Sequence, residues 1–196
     1  MTPLADRMRP QNLEEILGQE ALTGRDAPFR RALEAGNFRS AVLWGPPGTG
    51  KSTLARCMAR LGRFRFVQLS AVLSGIKDLK AVMEERPLLD PRPLLLFVDE
   101  IHRWNKAQQD ALLPHVENGE LLLLGATTEN PAFYLTPALR SRLEIVVLQA
   151  ISKEAIEQLL ERARVDAVNG LGGRVVEDGL LAKIAQLSDG DARRAL

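Results

Sequence analysis

Short, almost unbroken apolar runs punctuate the chain at residues 41–44, 66–69, 94–98, 121–125 and 145–148. Each has the length and character of a buried strand. Between them apolar residues recur at helical spacing, as in Thr53-Leu54-Ala55-Arg56-Cys57-Met58-Ala59-Arg60. Strands alternating with helices predict an α/β fold, a mostly parallel sheet covered by helices on both faces. The pattern changes after Gln149. Ser152 can cap a helix with Ile156, Leu159, Leu160 and Ala163 on one face. Gly170-Leu171-Gly172-Gly173 breaks it, and Leu180, Leu181, Ile184 and Leu187 mark a second amphipathic helix. We therefore expect an α/β domain over residues 1–150 and a helical domain over 151–196. After Asp189-Gly190-Asp191 the chain ends in what reads as a third helix, too short to be stable alone, so a fragment is expected. Pro114 is expected to kink its helix.

Composition narrows the classes. A chain of 196 residues can bury one substantial core and a small appended unit. Lys and Arg number 26 against 25 Asp and Glu, so bulk charge does not favour a polyanion, and nucleic acid would need a local basic patch. The single cysteine, Cys57, excludes an internal disulfide framework and reads as core packing in a reducing compartment. No basic-then-apolar leader opens the chain and no apolar run approaches a membrane span. The expectation is a soluble, cytoplasmic protein.

The chemistry begins at Gly45-Pro46-Pro47-Gly48-Thr49-Gly50-Lys51-Ser52, followed by Thr53, a full match to G-x-x-x-x-G-K-[ST]. It lies between the first apolar run and a helical run, the context this motif needs. Glycines let backbone N–H groups wrap an anion, and the following helix adds its positive end. Lys51 would reach the β- and γ-phosphates of ATP, and the Ser52 hydroxyl would ligate Mg²⁺. The run 94–98 ends in Asp99-Glu100. Asp99, at the strand tip beside the phosphate loop, would hold Mg²⁺, and Glu100 would orient or deprotonate the attacking water. A third run ends in Thr127-Thr128-Glu129-Asn130-Pro131, where a hydroxyl can position that water; a plain strand exit is the alternative. His102 and His115 have no acidic or thiol cluster around them that would complete a metal site, and His102 is expected to tune or pack beside Glu100. Trp104 reads as packing at a helix start.

On these motifs the chain resembles the AAA+ ATPases over nearly its whole length. The resemblance implies a P-loop NTPase fold with a five-stranded parallel sheet and a partial all-α lid. It implies that Thr128 is the first sensor. Leu139-Arg140-Ser141-Arg142 resembles the arginine-finger box, with Arg142 reaching a neighbouring subunit's γ-phosphate. Gly190-Asp191-Ala192-Arg193 resembles the second-sensor motif, with Arg193 on the nucleotide. The stretch from Pro3 to Pro10, with Leu13 and Gly18-Gln19, resembles the adenine-side segment of clamp-loader-like members, implying contacts from Arg9, Pro10 and Ile16. The runs from Asp99 to Asp110, Pro114 to Glu117 and Gly125 to Pro131 are similar to the replication-associated recombination protein A family, whose eukaryotic relatives interact with Werner helicase. Leu143 departs from the Cys usual in clamp loaders at that place.

That family implies a Mg²⁺-dependent ATPase acting with DNA, single-stranded, forked or gapped, in replication-fork maintenance, recombination and repair. It implies a homo-oligomer for the full-length protein, a monomeric fragment here, and partners such as single-stranded-DNA-binding protein. A branch-migration motor or clamp-loader subunit shares the same core, and a scaffold that binds nucleotide without turnover is the non-enzymatic alternative. Asp99-Glu100-Ile101-His102 also spells a superfamily-2 helicase box, but that class needs a second motor domain for which the chain has no room.

Overall fold

The computed structural model describes residues 2–85, 92–177 and 179–196. Its centre is a parallel sheet of β1 (Ala41–Trp44), β2 (Arg65–Ser70), β3 (Leu94–Asp99), β4 (Leu121–Thr127) and β5 (Glu144–Val147), in the order β2-β3-β4-β1-β5. Three helices precede it, α1 (Leu4–Arg7), α2 (Glu20–Thr23) and α3 (Pro28–Glu34). The crossover after β1 is α4 (Lys51–Leu61), and α5 (Ile76–Glu84) follows β2. Between β3 and β4 lie α6 (Lys106–Asp110) and α7 (Leu113–Glu117); between β4 and β5 lie α8 (Pro131–Tyr134) and α9 (Pro137–Arg140). The chain ends in α10 (Lys153–Val165), α11 (Leu180–Leu187) and α12 (Ala192–Ala195).

Successive strand residues point to opposite faces, so each apolar run feeds two cores. Leu43, Leu95, Phe97 and Leu124 pack with Leu54, Ala55 and Met58 of α4. Val42, Leu96, Val98 and Leu123 pack with Trp104, Leu112 and Leu139 on the other side. Each such fully buried side chain contributes about 1.5–3 kcal/mol, which is why the three central strands tolerate no polar interruption.

Coverage on both faces holds only in the centre. In β5, Val146 is 7% exposed, but Ile145 and Val147 are 49% and 44% exposed. The core on that face takes in Val42 of β1 and stops before β5. Pro114 does not kink a continuous helix: α6 and α7 are separate, and Pro114 lies in the first turn of the second. In a first helical turn the missing N–H has no partner to lose, so a break there is cheaper than a kink.

The C-terminal helices have a small core of their own, Ile151, Ile156, Leu160 and Ala185, with Leu181 and Ile184 packed against it. Ser152 caps α10 by accepting from the Ala155 N–H at 3.2 Å. Only part of the expected apolar face of α11 is used, because Leu187 stays 70% exposed. Among the described residues, no helix is long and apolar enough to cross a membrane.

Candidate functional site

A cavity of about 450 Å³ opens at the carboxyl ends of the central strands. α/β sheets bind ligands on this edge because crossover helices begin there and leave their first N–H groups unpaired. β1 runs directly into residues 45–50. Gly48 (φ +69°) and Gly50 (φ +92°) adopt left-handed conformations that cost glycine little. The Thr49 hydroxyl donates to the Pro46 carbonyl at 2.9 Å and closes the loop, and Gly50 opens α4 toward the cavity.

Lys51 Nζ donates to the carbonyls of Gly45 and Pro46, each at 2.7 Å. An ammonium has three protons, so one donor remains for a ligand. Burial lowers the Lys51 pKa from its ordinary value, and Arg193 adds to this; Asp99, Glu100 and Asp191 oppose it. The arrangement is a partly desolvated cation whose charged form an anion would stabilise. Gly45 and Pro46 thus serve the site by holding Lys51; Pro47, Gly48, Thr49, Gly50, Lys51, Ser52 and Thr53 line the cavity itself.

Asp99 and Glu100 line it from β3 and Thr128 from the end of β4. In the sheet order β4 stands between β1 and β3, so Asp99 faces the loop across the tip of β4 and shares its cavity. Glu100 has φ 57° and ψ 39°, left-handed for a residue with a side chain. That strain costs about 1–3 kcal/mol and is typical of functional positions. Its carboxylate lies 3.5 Å from His102 Nε2 and 3.8 Å from Arg103 Nε. The buried His102 ring is hydrogen-bonded through Nδ1 to Thr127 Oγ1 at 2.9 Å. His102 therefore packs beside Glu100 as expected. The two threonines divide: Thr127 turns to His102, and Thr128 turns to the cavity.

Both chain ends complete the walls. Arg9, Pro10 and Ile16 line the cavity, with Arg9 held by Asp6 at 2.6 Å and donating to Ser52 Oγ at 3.4 Å. From the other end come Ile151, Ala155 and Leu159, then Ala192 and Arg193. The Ala192 N–H donates to the Gly48 carbonyl at 3.2 Å, and a Cβ on Gly48 would overlap the Asp191 carboxylate. Asp191 in turn caps α12, accepting from the N–H groups of Arg193 and Arg194. Sequence reasoning gave Asp191 no role; its signal was an N-cap residue placed just before Ala192-Arg193.

Arg142 lies elsewhere. It pairs with Glu117 at 2.5 Å and donates to the Ala138 carbonyl at 2.6 Å, outside the cavity. Cys57 is buried on α4, its thiol pushed up to about 11 by desolvation, which fits packing and not chemistry. Trp104 is buried with its indole N–H on the Ser74 carbonyl at 2.9 Å, and His115 pairs with Glu120 at 2.7 Å.

This loop-and-strand-tip geometry has relatives. The family model described as "ATPase family associated with various cellular activities (AAA)" matches residues 41–151, more than half of the chain. The chain belongs to this AAA family. It is 48% identical over 198 residues to replication-associated recombination protein A of Escherichia coli K12, covering 99% of this chain and 44% of that protein. It is 41% identical to the Bacillus subtilis 168 protein of the same name, covering 100% and 47%. The resemblance carried by the motifs is therefore present over the whole chain, which spans less than half the length of these AAA relatives. Among solved structures, a Thermotoga maritima RuvB described as a Holliday junction branch migration motor is 31% identical, with a TM-score of 0.78. That match covers 96% of this chain and 63% of RuvB.

Proposed function

We propose that this AAA chain binds ATP with Mg²⁺ in the strand-tip cavity and hydrolyses it, driving a larger protein that acts on DNA in replication and recombination. The observation that carries the reading is convergence: Lys51, Ser52, Asp99, Glu100, Thr128 and Arg193 come from distant parts of the chain and line one cavity. Its volume suits a ligand of nucleotide size. In this reading residues 1–150 are the ATPase body and 151–196 the lid, since Ala192 already rests on Gly48.

The donors fit Mg²⁺. Ser52 and Asp99 offer oxygen, and Mg²⁺ takes one or two protein oxygens beside nucleotide phosphates. When bound, the ion would neutralise charge developing on the phosphates. The loop N–H groups and the third Lys51 donor orient the phosphates; Arg9, Pro10 and Ile16 contact the base side; Arg193 approaches from the lid. Glu100 takes the proton of the attacking water, with Thr128 helping to place it. The Arg142 finger is supplied by a neighbouring copy. The DNA role rests on likeness to replication-associated recombination protein A, favoured over a branch-migration motor because identity is 48% against 31% at similar coverage of the chain.

The test is ATP turnover with and without EDTA, alongside Glu100→Gln. Glu100→Gln keeps Asp99 and the size of the side chain, so it should bind ATP normally and lose about 10²–10⁴ in rate, the range for a general base. Parental turnover in Glu100→Gln would remove the base assignment. Tight ATP binding with no turnover in any assembly would favour the scaffold reading.

A further inference from the structure

Gln109 is a buried polar side chain for which the proposed reaction has no use. It sits on α6, 2% exposed, and does not line the nucleotide cavity. Its amide nitrogen donates to the carbonyls of Trp104 and Tyr134, each at 2.9 Å. Its oxygen accepts from the Thr136 N–H at 2.8 Å. Carbonyls at one end and an N–H at the other fix the orientation of the amide. A buried amide is costly unless it is satisfied, and here backbone groups satisfy it.

Those partners come from two segments with different anchorage. Trp104, shortly after Glu100, is fixed independently, with its ring buried and its indole N–H on the Ser74 carbonyl. Tyr134 ends α8 and Thr136 caps α9, so the groups they offer Gln109 lie outside either helix ladder. From Thr136 the connection runs on to the arginine corner. Thr136 Oγ1 accepts from the Leu139 N–H at 3.4 Å, and the Arg142 N–H donates to the Leu139 carbonyl at 3.0 Å. Leu135 and Leu139 pin this arm into the core, but apolar contact is not directional and leaves its angle open. The helix after α6, α7, supplies Glu117, which holds the guanidinium itself.

We propose that Gln109 is a positioning residue for Arg142, transferring the fixed geometry at Trp104 to α9 and so setting where the arginine stands for a neighbouring copy. This rests on the shared-site reading above. Gln109 acts through Arg142 and touches no reacting atom. The leverage is large, because misplacing a catalytic group by about 1 Å can cost about 10²-fold in rate. A chain of contacts is not by itself coupling, so the test reads activity from each side of the shared site.

The experiment measures steady-state ATP turnover in mixed assemblies. Gln109→Met keeps the side-chain length and gives up the amide hydrogen bonds. Alone it should bind ATP as the parent does and turn over about 10²-fold more slowly. Mixed with Lys51→Ala, whose arginine arm is intact, Gln109→Met should recover turnover. Mixed with Arg142→Ala, which must borrow the arm of Gln109→Met, it should not. Recovery with both partners, or with neither, overturns the proposal and leaves the shared site standing. The reference mixture of Lys51→Ala with Arg142→Ala tests the reading beneath it; no recovery there overturns both. Hydrogen exchange supplies a readout besides activity. The Thr136 and Leu139 amides should exchange faster in Gln109→Met, while β3 and α4 keep parental protection. Uniform acceleration would mark Gln109 as a core strut and overturn its positioning role. If Gln109→Met does not fold, Thr136→Ala loosens the same arm by removing the α9 cap. Thr136→Ala should show the same asymmetry between mixing partners at smaller amplitude, and symmetric behaviour overturns the proposal.

Discussion

At the strand tips Lys51 is turned inward, hydrogen-bonded to its own loop and surrounded by the other residues of the site. At the corner after α9, Arg142 is turned outward, held by Glu117 on the surface of the same chain. The first cation is already where a phosphate would need it, and its neighbours disfavour leaving it alone. The second is 37% exposed with a partner 46% exposed, so its ion pair is worth about 0–1 kcal/mol and is easily exchanged. The difference teaches how the labour divides. In the proposed reading, binding is a property of one chain, and the last charge needed for catalysis comes from outside its own cavity.

The sharpest way to break that division is Arg142→Ala. An arginine finger contributes about 10³–10⁵ in rate. Arg142→Ala should lose turnover on that scale and keep ATP affinity. Mixing it with Lys51→Ala protein should restore part of the rate, since each variant retains the half-site the other lacks. Steady-state rates over a range of mixing ratios decide it. If mixed assemblies form and no activity returns, Arg142 does not act between copies.

How far the sequence discloses this site depends on the kind of signal. The five strands and the phosphate loop were legible because unbroken apolar runs and four fixed loop residues are local features. Coverage of β5 was not, since helix placement at a sheet edge is a tertiary matter that leaves Ile145 and Val147 outside. That β4 lies between the strands carrying Asp99 and the loop was not legible either, because strand order is not written in strand composition. The contact of Asp191 with Gly48 joins residues far apart in the chain, and only the folded backbone brings them together. Glu117, which parks Arg142, reads in sequence as an ordinary surface acid.

The inward half of the comparison is tested by Lys51→Ala, a smaller effect. A charge-assisted hydrogen bond is worth about 1.5–3 kcal/mol, so ATP should bind about 10–150-fold more weakly. The pH dependence carries the sign. The folded Lys51 pKa lies below 10.5, so between the two values the unfolded chain holds more protons and this residue makes stability rise with pH. ATP favours the charged form, so affinity should fall as pH rises through the folded pKa. Lys51→Ala should show neither slope. Calorimetric titrations of both proteins across the alkaline range measure it, and identical pH profiles would remove Lys51 from the phosphate cradle.

The smallest effect separates the cradle from the helix that carries it. Cys57 sits two turns along α4 from Lys51, buried, with its thiol donating weakly to the Pro10 carbonyl at 3.6 Å. Burial raises its pKa from 9.0 to about 11, opposite in direction to Lys51. The folded chain keeps the thiol proton where the unfolded chain has released it. Its contribution to stability is therefore complete below about pH 9 and lost as pH rises toward about 11. Cys57→Ala removes a buried sulfur and should cost on the order of 1 kcal/mol near neutrality. That deficit should shrink as pH climbs through the same window, because only the parent then loses stability by this route. Urea unfolding of both proteins over that range reads the difference directly. A constant gap would mean the α4 interior is open to solvent, and the contrast between a reactive helix start and an inert helix body would not hold.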